Sequence, residues 1–489
     1  MNQQKNRFMS NQKIENKRII LILFLFLIVG IAGITIAFVR VEKNTFAARL
    51  GIDKQKTTTK TSSINSEAKV EELWSQGNQV LIAAKNNINK LEGIRAYSRE
   101  NYKQAQAKFM ISLENDSNDP ETLIYLNNSK AVVQGNEVTI AVSVPIGGNL
   151  NVAQEILRGV AQAQNQFNSN QENKNRLLKV IIANDNNNPE LAQEIATKFV
   201  QEEEIIAVVG HNASDSSIAA APIYQEGGLV MITPTSSAKS LTEIGNYIYR
   251  TTPSTRALAD KLAGYIVNTA RKTNITICAD EQAKASVSFK NDLTWAVYQY
   301  GGVVNGVKCN FSAMDFNPTK VPPQAISNGA DALVLAPSLR YLDQAIEVAR
   351  ANQQQLPLFG SHTVFKYNTL KQGQMSVNGL VLPVAWYPKS SENSSFVENA
   401  QKLWKETGSW RTAMAYDATQ VIIQALQSTD SSRQQIQKVI DNPEFVAQGS
   451  SESIRFMQNG DRLARGVLVR VEPGERSGTG YDFAYLESN

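Results

Sequence analysis

The chain reads as an α/β protein of two similar lobes, each a parallel sheet wrapped by helices. Short, almost uninterrupted apolar runs recur, such as Ile205 to Val209 (IIAVV) and Leu229 to Ile232. Runs of this kind mark strands buried on both faces of a parallel sheet. Helical segments with polar or proline openings and Gly-Gly stops alternate with them, which is the order of α/β folds. The βαβ series beginning at Glu137 also starts afresh after Tyr249-Arg250-Thr251-Thr252-Pro253, so the pattern is written twice. At 489 residues, 42% apolar and 19% charged, the chain has ordinary globular composition and length for two to four domains.

The first lobe opens on the strand from Glu137 to Val142, followed by a helix from about Asn151 to Phe167. A strand at Leu177 to Ile182 comes next, then a helix opening near Pro189 and the strand at Ile205. Gly210 turns the chain into a helix that opens at Ser214-Asp215-Ser216-Ser217, with Ser214 placed to cap it. After the Gly227-Gly228 stop, the strand at Leu229 ends in Thr233-Pro234-Thr235-Ser236-Ser237. The second lobe runs through a helix at about 255–269 and strands at Ile275 to Ala279, Val303 to Cys309 and Ala332 to Leu335. The chain is expected to return to the first lobe at Gly379 to Leu382 and to cross a last time near Ser453 to Phe456. The first lobe would then hold 134–253 and 379–452, and the second 254–378 and 453–489. Three crossings make a hinge, and hinge closure is the motion expected.

The N-terminal third is different. Residues 1–18 carry five basic residues and one acid, which accounts for the whole net charge of +4. The remainder is neutral overall, which argues against a nucleic-acid surface, since that needs clustered Lys and Arg in the folded part. Ile19 to Val39 is 21 residues without a charge, the length of a bilayer-spanning helix. Its basic flank places the N-terminus in the cytoplasm and the rest outside, held at a bacterial inner membrane by a single uncleaved anchor. Residues 40–66 read as a polar linker. In 67–133 the pattern is helical, with Tyr102, Ala105, Phe109 and Leu113 on one face and a break at Asn118-Asp119-Pro120. Outside the cytoplasm, Cys278 and Cys309 meet oxidising conditions. They are either a disulfide between neighbouring strands or two buried small side chains.

The carboxyl ends of adjacent parallel strands are where α/β proteins bind ligands. Here both ends carry small hydroxyl residues and one opens a helix, whose N–H groups and positive dipole suit a carboxylate. Enzyme signatures are lacking. There is no G-x-S-x-G elbow, P-loop or G-x-G-x-x-G after a strand. His211 precedes Ser214, but no acid in the sequence is evident to orient it. With two histidines in the chain, no metal site or cofactor is expected.

GHNAS followed by MITPTSSA, with VSVPIGGNL, Tyr249 to Pro253 and Ala415-Tyr416-Asp417-Ala418, resembles the leucine/isoleucine/valine-binding type I periplasmic solute-binding proteins of ABC transporters. The resemblance runs from about Glu137 to Val471. It implies a two-lobed fold with three hinge crossings and a ligand carboxylate held by Ser214, Thr235 and Ser237. It also implies an acid for the ligand ammonium near the strand at Leu356 to Phe359, where this chain has Gly360-Ser361-His362. His362 cannot replace a carboxylate's charge; Asp280 or Asp417 either supplies it or is structural. Trp386 and Tyr387, just after the second expected crossing, either cap a side-chain pocket or are packing at the hinge. Asn101 to Asn128 resembles a single degenerate tetratricopeptide repeat, which reads as a helical spacer on the main domain or a partner-docking helix pair. Together these imply an extracytoplasmic receptor that captures an amino acid or related carboxylate for ABC permease subunits. The alternative is a membrane-anchored sensor or scaffold on the same fold.

Overall fold

Val138–Val144 (VTIAVSV) buries every one of its residues, so it can only lie inside a sheet covered on both faces. In a computed structural model, residues 72–83, 87–173, 176–390, 394–428 and 432–487 are described. The basic tail, apolar anchor and linker expected at 1–66 lie outside them. Among the described residues, no helix is long and apolar enough to cross a membrane.

The first sheet begins with β1 (Trp74–Ser75), antiparallel to the edge strand β3 (Leu178–Asn184). From β3 it runs in parallel through β2 (Val138–Val144), β4 (Ile205–Val209), β5 (Val230–Thr233) and β6 (Ile248–Arg250). The second sheet has a parallel core in the order β8 (Val303–Val304), β7 (Asn274–Ala279), β9 (Ala332–Ala336), β10 (Leu358–Gly360), β11 (Val381–Val384). A small hairpin of β12 (Ala447–Gln448) and β13 (Ser453–Ile454) stands apart. The strands β14 (Val467–Pro473) and β15 (Tyr481–Leu486) then extend the second sheet antiparallel beyond β11.

Two expected lobe boundaries move. β11 pairs with β10 and β14, so the chain stays in the second lobe through Val384 instead of leaving it at Gly379. An apolar run shows that it is a strand and not which sheet it joins. Likewise, Ala447 and Ile454 are buried in the first lobe's core, and Arg250 holds Asp461 at 2.6 Å. The last crossing therefore falls after Asp461, some residues later than expected.

The helix Leu150–Ser169 carries one strongly apolar face and packs on the helix Trp410–Ser428. Gly159 sits at that contact. A Cβ there would lie 2.2 Å from the Thr412 carbonyl oxygen, so only glycine lets the helices approach so closely. Gly210, at φ +145°, ends β4 against Ser143, whose carbonyl a Cβ would meet at 2.8 Å.

The described residues of 67–133 do not form a freestanding repeat. After β1, helices Ile88–Ser98, Tyr102–Asn115 and Pro120–Gln134 follow, and the last packs on Leu150–Ser169 and β3. Phe109, Ile124 and Tyr125 share one apolar cluster with the first lobe's sheet. Asn128 fastens the join: its Oδ1 accepts the Val180 N–H at 2.8 Å while its Nδ2 donates to the Val180 and Gln76 carbonyls. A single helix pair cannot bury its own face, and the lobe supplies the missing neighbour. In the second lobe, Cys278 and Cys309 form a disulfide, with the Ala279 N–H donated to the Cys309 carbonyl at 3.0 Å.

Candidate functional site

The carboxyl ends of β4 and β5 point into the gap between the lobes, and a cleft of about 640 Å³ lies there. Ser214, Thr235, Asp280 and His362 all line it. Ser237 stands behind them, with Oγ 3.4 Å from His362 Nε2. Asp417 is elsewhere, closed in a 2.5 Å ion pair with Arg462 and accepting the Ser450 N–H at 2.5 Å. Trp386 and Tyr387 are packing residues and do not line the cleft. Trp386 meets Phe396 edge-on, and the Tyr387 hydroxyl donates to the Phe483 carbonyl at 2.6 Å.

The hydroxyl-rich loops are mostly self-satisfied. The Thr235 hydroxyl donates to the Asn212 carbonyl at 2.9 Å, so its proton is already engaged. Thr233 Oγ1 donates to the His211 carbonyl at 2.7 Å and Ser236 Oγ to the Asn212 carbonyl at 3.1 Å. Ser214 differs. It is the first residue of the helix Ser214–Glu226 and not its cap; Ala213 holds the cap position without a side-chain bond. Ser214 Oγ accepts the Ala238 N–H at 3.3 Å, and its own proton has no acceptor among the described residues, beside the uncapped helix start that lines the cleft.

The second lobe brings acid and imidazole. Asp280 is buried and its Oδ1 accepts the Gln282 N–H at 3.0 Å. Facing it, Asp215 Oδ2 accepts the Lys284 N–H at 3.2 Å across the lobes. Burial raises the Asp215 carboxyl above its ordinary pKa, and nearby Asp280 adds to this against the Lys284 hydrogen bond. Burial, reinforced by Arg411, pushes His362 down to about 3, so its imidazole is neutral. His362 lies edge-on to Trp410 at 5.6 Å.

His211 does have an orienting acid, contrary to the reading from sequence. Asp185 Oδ2 lies 2.7 Å from its Nδ1, but Nε2 faces the Tyr224 hydroxyl at 3.1 Å. Both ring nitrogens are therefore occupied away from Ser214, and the trio is a buried brace.

Sequence reasoning missed Asp215, Trp410 and Arg411, all of which line the cleft. Arg411 left a signal: a cation in a helix, Trp410–Ser428, that is otherwise buried almost throughout.

The periplasmic binding protein family model matches residues 137–463, well over half of the chain and nearly from the start of β2. The chain belongs to the periplasmic binding protein family. This binding protein is 29% identical over 186 residues to an amino acid binding protein of Pseudomonas aeruginosa, covering 36% of this chain and 50% of that one. It is 33% identical over 125 residues to the Leu/Ile/Val-binding protein of Escherichia coli K12, covering 25% and 34%. It thus spans half or less of the length of these curated relatives. Among solved structures, a leucine-binding protein from Thermotoga maritima superposes with a TM-score of 0.62 at 20% identity, over 71% of this chain and 97% of that one. A solute-binding protein of an ABC transporter from Rhodopseudomonas palustris, in complex with p-hydroxybenzoic acid, gives 0.62 at 15% identity over 72% and 96%. These likenesses establish the two-lobed fold.

Proposed function

We propose that this periplasmic binding protein is an extracytoplasmic receptor that captures a small carboxylate ligand of the amino-acid class by closing its lobes. Delivery to ABC permease subunits completes the reading, with residues 19–39 as its membrane tether. One observation carries it: the Ser214 hydroxyl, with no acceptor for its proton among the described residues, and the uncapped helix start line the inter-lobe cleft with buried Asp280. The helix start suits a carboxylate and Asp280 an ammonium. The Pseudomonas and Escherichia relatives, whose names are those of amino-acid binders, support the same class. The fold alone does not choose the ligand, because proteins sharing it hold leucine or p-hydroxybenzoic acid. Hydrogen bonds that bridge the lobes, Lys284 N–H to Asp215 and Ser237 to His362, are of the kind that closure makes. No enzymatic step is part of this reading.

The test is calorimetric titration of the full chain against amino acids and small carboxylates, with X-ray scattering for compaction. Saturable binding that compacts the protein and weakens in Ser214→Ala is expected. Silence across the panel, from protein shown to be folded, would refute the receptor reading. A sensor that reports occupancy is favoured by the helices 88–134 being built into the first lobe's core. In that case ligand should change hydrogen-exchange protection in those helices.

A further inference from the structure

We infer that the cleft has a second anion-binding pole, formed by Arg411 with His362, and that its ligand carries two carboxylates, the chemistry of an acidic α-amino acid. The inference rests on the receptor reading above and names its substrate class.

Arg411 is 3% exposed yet lines the cleft. Its Nη1 donates to Glu155 Oε2 at 3.2 Å, and its guanidinium lies 4.4 Å from the Trp410 ring centre. Those are its side-chain partners among the described residues. A guanidinium offers five N–H donors in a planar fork, so most of its capacity is unspent.

The neighbours do not balance its charge. Lys366 approaches from the second lobe, and its Nζ is buried without a hydrogen-bond partner among the described residues. Burial and then Arg411 lower Lys366 to about 8, with Glu155 opposing, so at neutral pH it is still mostly a cation. Two cations therefore stand near one carboxylate, and only Arg411 bonds it. Arg411 is also the second residue of Trp410–Ser428, where the helix dipole adds further positive potential, although Ser409 Oγ caps the Arg411 and Thr412 N–H groups.

Hydrogen-bond capacity points to the same place. His362 Nδ1 and Trp410 Nε1 are buried without partners, and both residues line the cleft. With Ser237 Oγ opposite His362 Nε2, the neutral imidazole can carry its proton on Nδ1. A buried, incompletely paired positive charge beside unpartnered donors is costly unless an anion completes it. Glu155 alone does not, and a ligand carboxylate would. Asp215 and Asp280, lining the same cleft, suit the ammonium, while the Ser214 helix start suits the first carboxylate. The wall chemistry reads anion site, cation site, anion site.

The experiment titrates the full chain with glutamate, glutamine, glutarate and leucine, in wild type and in Arg411→Gln, Arg411→Lys, Glu155→Gln and Ser214→Ala. Glutamate should bind most tightly and weaken about 30-fold or more in Arg411→Gln, the range for losing one partner of a buried charge pair. Arg411→Lys keeps charge without the fork and should lose less. Glu155→Gln frees Arg411 and should leave glutamate binding at least as tight, and thermal melts of the Arg411 variants check that they are folded. Tight glutarate binding with weak glutamate would also support the second pole while removing the ammonium site. Leucine binding tightly and indifferently to Arg411→Gln, yet weakened by Ser214→Ala, would overturn the second pole and leave the receptor reading standing. Silence toward all four ligands would overturn both.

Discussion

Two buried charge clusters in this protein are built on opposite plans. In the N-terminal helices, Lys90 lies 2.7 Å from Asp119 and 2.6 Å from Glu121. Glu121 also accepts the Leu81 N–H at 2.8 Å and the Tyr125 hydroxyl proton at 2.9 Å. Every charge there has a protein partner, and the cluster clamps the segment around 81–82 onto the helices. At the cleft, Arg411 bonds Glu155, while nearby Lys366 Nζ and His362 Nδ1 have no hydrogen-bond partner among the described residues. A closed cluster has its stabilising partners within the fold, whereas an open one keeps capacity for something that arrives later. The difference separates scaffold from site better than burial, which is deep in both.

The largest effect is expected from breaking the closed cluster. Lys90→Met should leave Asp119 and Glu121 unpaired and destabilise the fold by about 3–5 kcal/mol in a denaturant melt. Protein that remains folded should bind ligand as before. The same substitution at the open cluster should behave the other way. Arg411→Met should shift the melt by no more than about 1.5 kcal/mol, because the charge it leaves behind, Glu155, is 21% exposed and keeps contact with water, unlike the fully buried Glu121, while its loss appears in ligand affinity. A smaller effect belongs to Ser214→Ala, which removes one donor and should weaken binding about tenfold with little change in stability.

Smallest and most specific is a pH effect. His362 is held at about 3 against an ordinary value of 6.5, with burial as the main cause and Arg411 as the second. Between those values the unfolded chain binds the extra proton and the folded chain does not. Stability contributed by the neutral ring is therefore full above about 6.5 and falls as pH drops toward 3. His362→Gln should flatten that part of the slope in thermal melts taken from pH 7 to pH 4. An unchanged slope would show that the ring is not buried neutral.

How far the sequence could be read depends on the kind of signal. The strands β2 to β5 announce themselves as apolar runs, and the hydroxyl loops after β4 and β5 follow from their position at strand ends. β1 has two residues, too few for any periodicity, and exists because β3 offers an open edge. The lobe of β11 depends on long-range pairing that Leu380 to Val384 cannot encode locally. In the cleft, Ser214, Thr235, Asp280 and His362 share a wall or face one another because the topology delivers strand ends there. Thr235 nonetheless turns its proton inward to the Asn212 carbonyl, a detail of loop conformation beyond residue type. Arg411 escaped because it comes from a helix distant in sequence, and only its charge within an apolar helix marked it.

The most direct measurement compares the affinity of the full chain for glutamate with that for glutamine, ligands of nearly equal shape that differ in one charge. If the open cluster completes itself with a ligand carboxylate, glutamate should be preferred by about tenfold or more. Equal affinity, or a preference for glutamine, would contradict the second anion-binding pole.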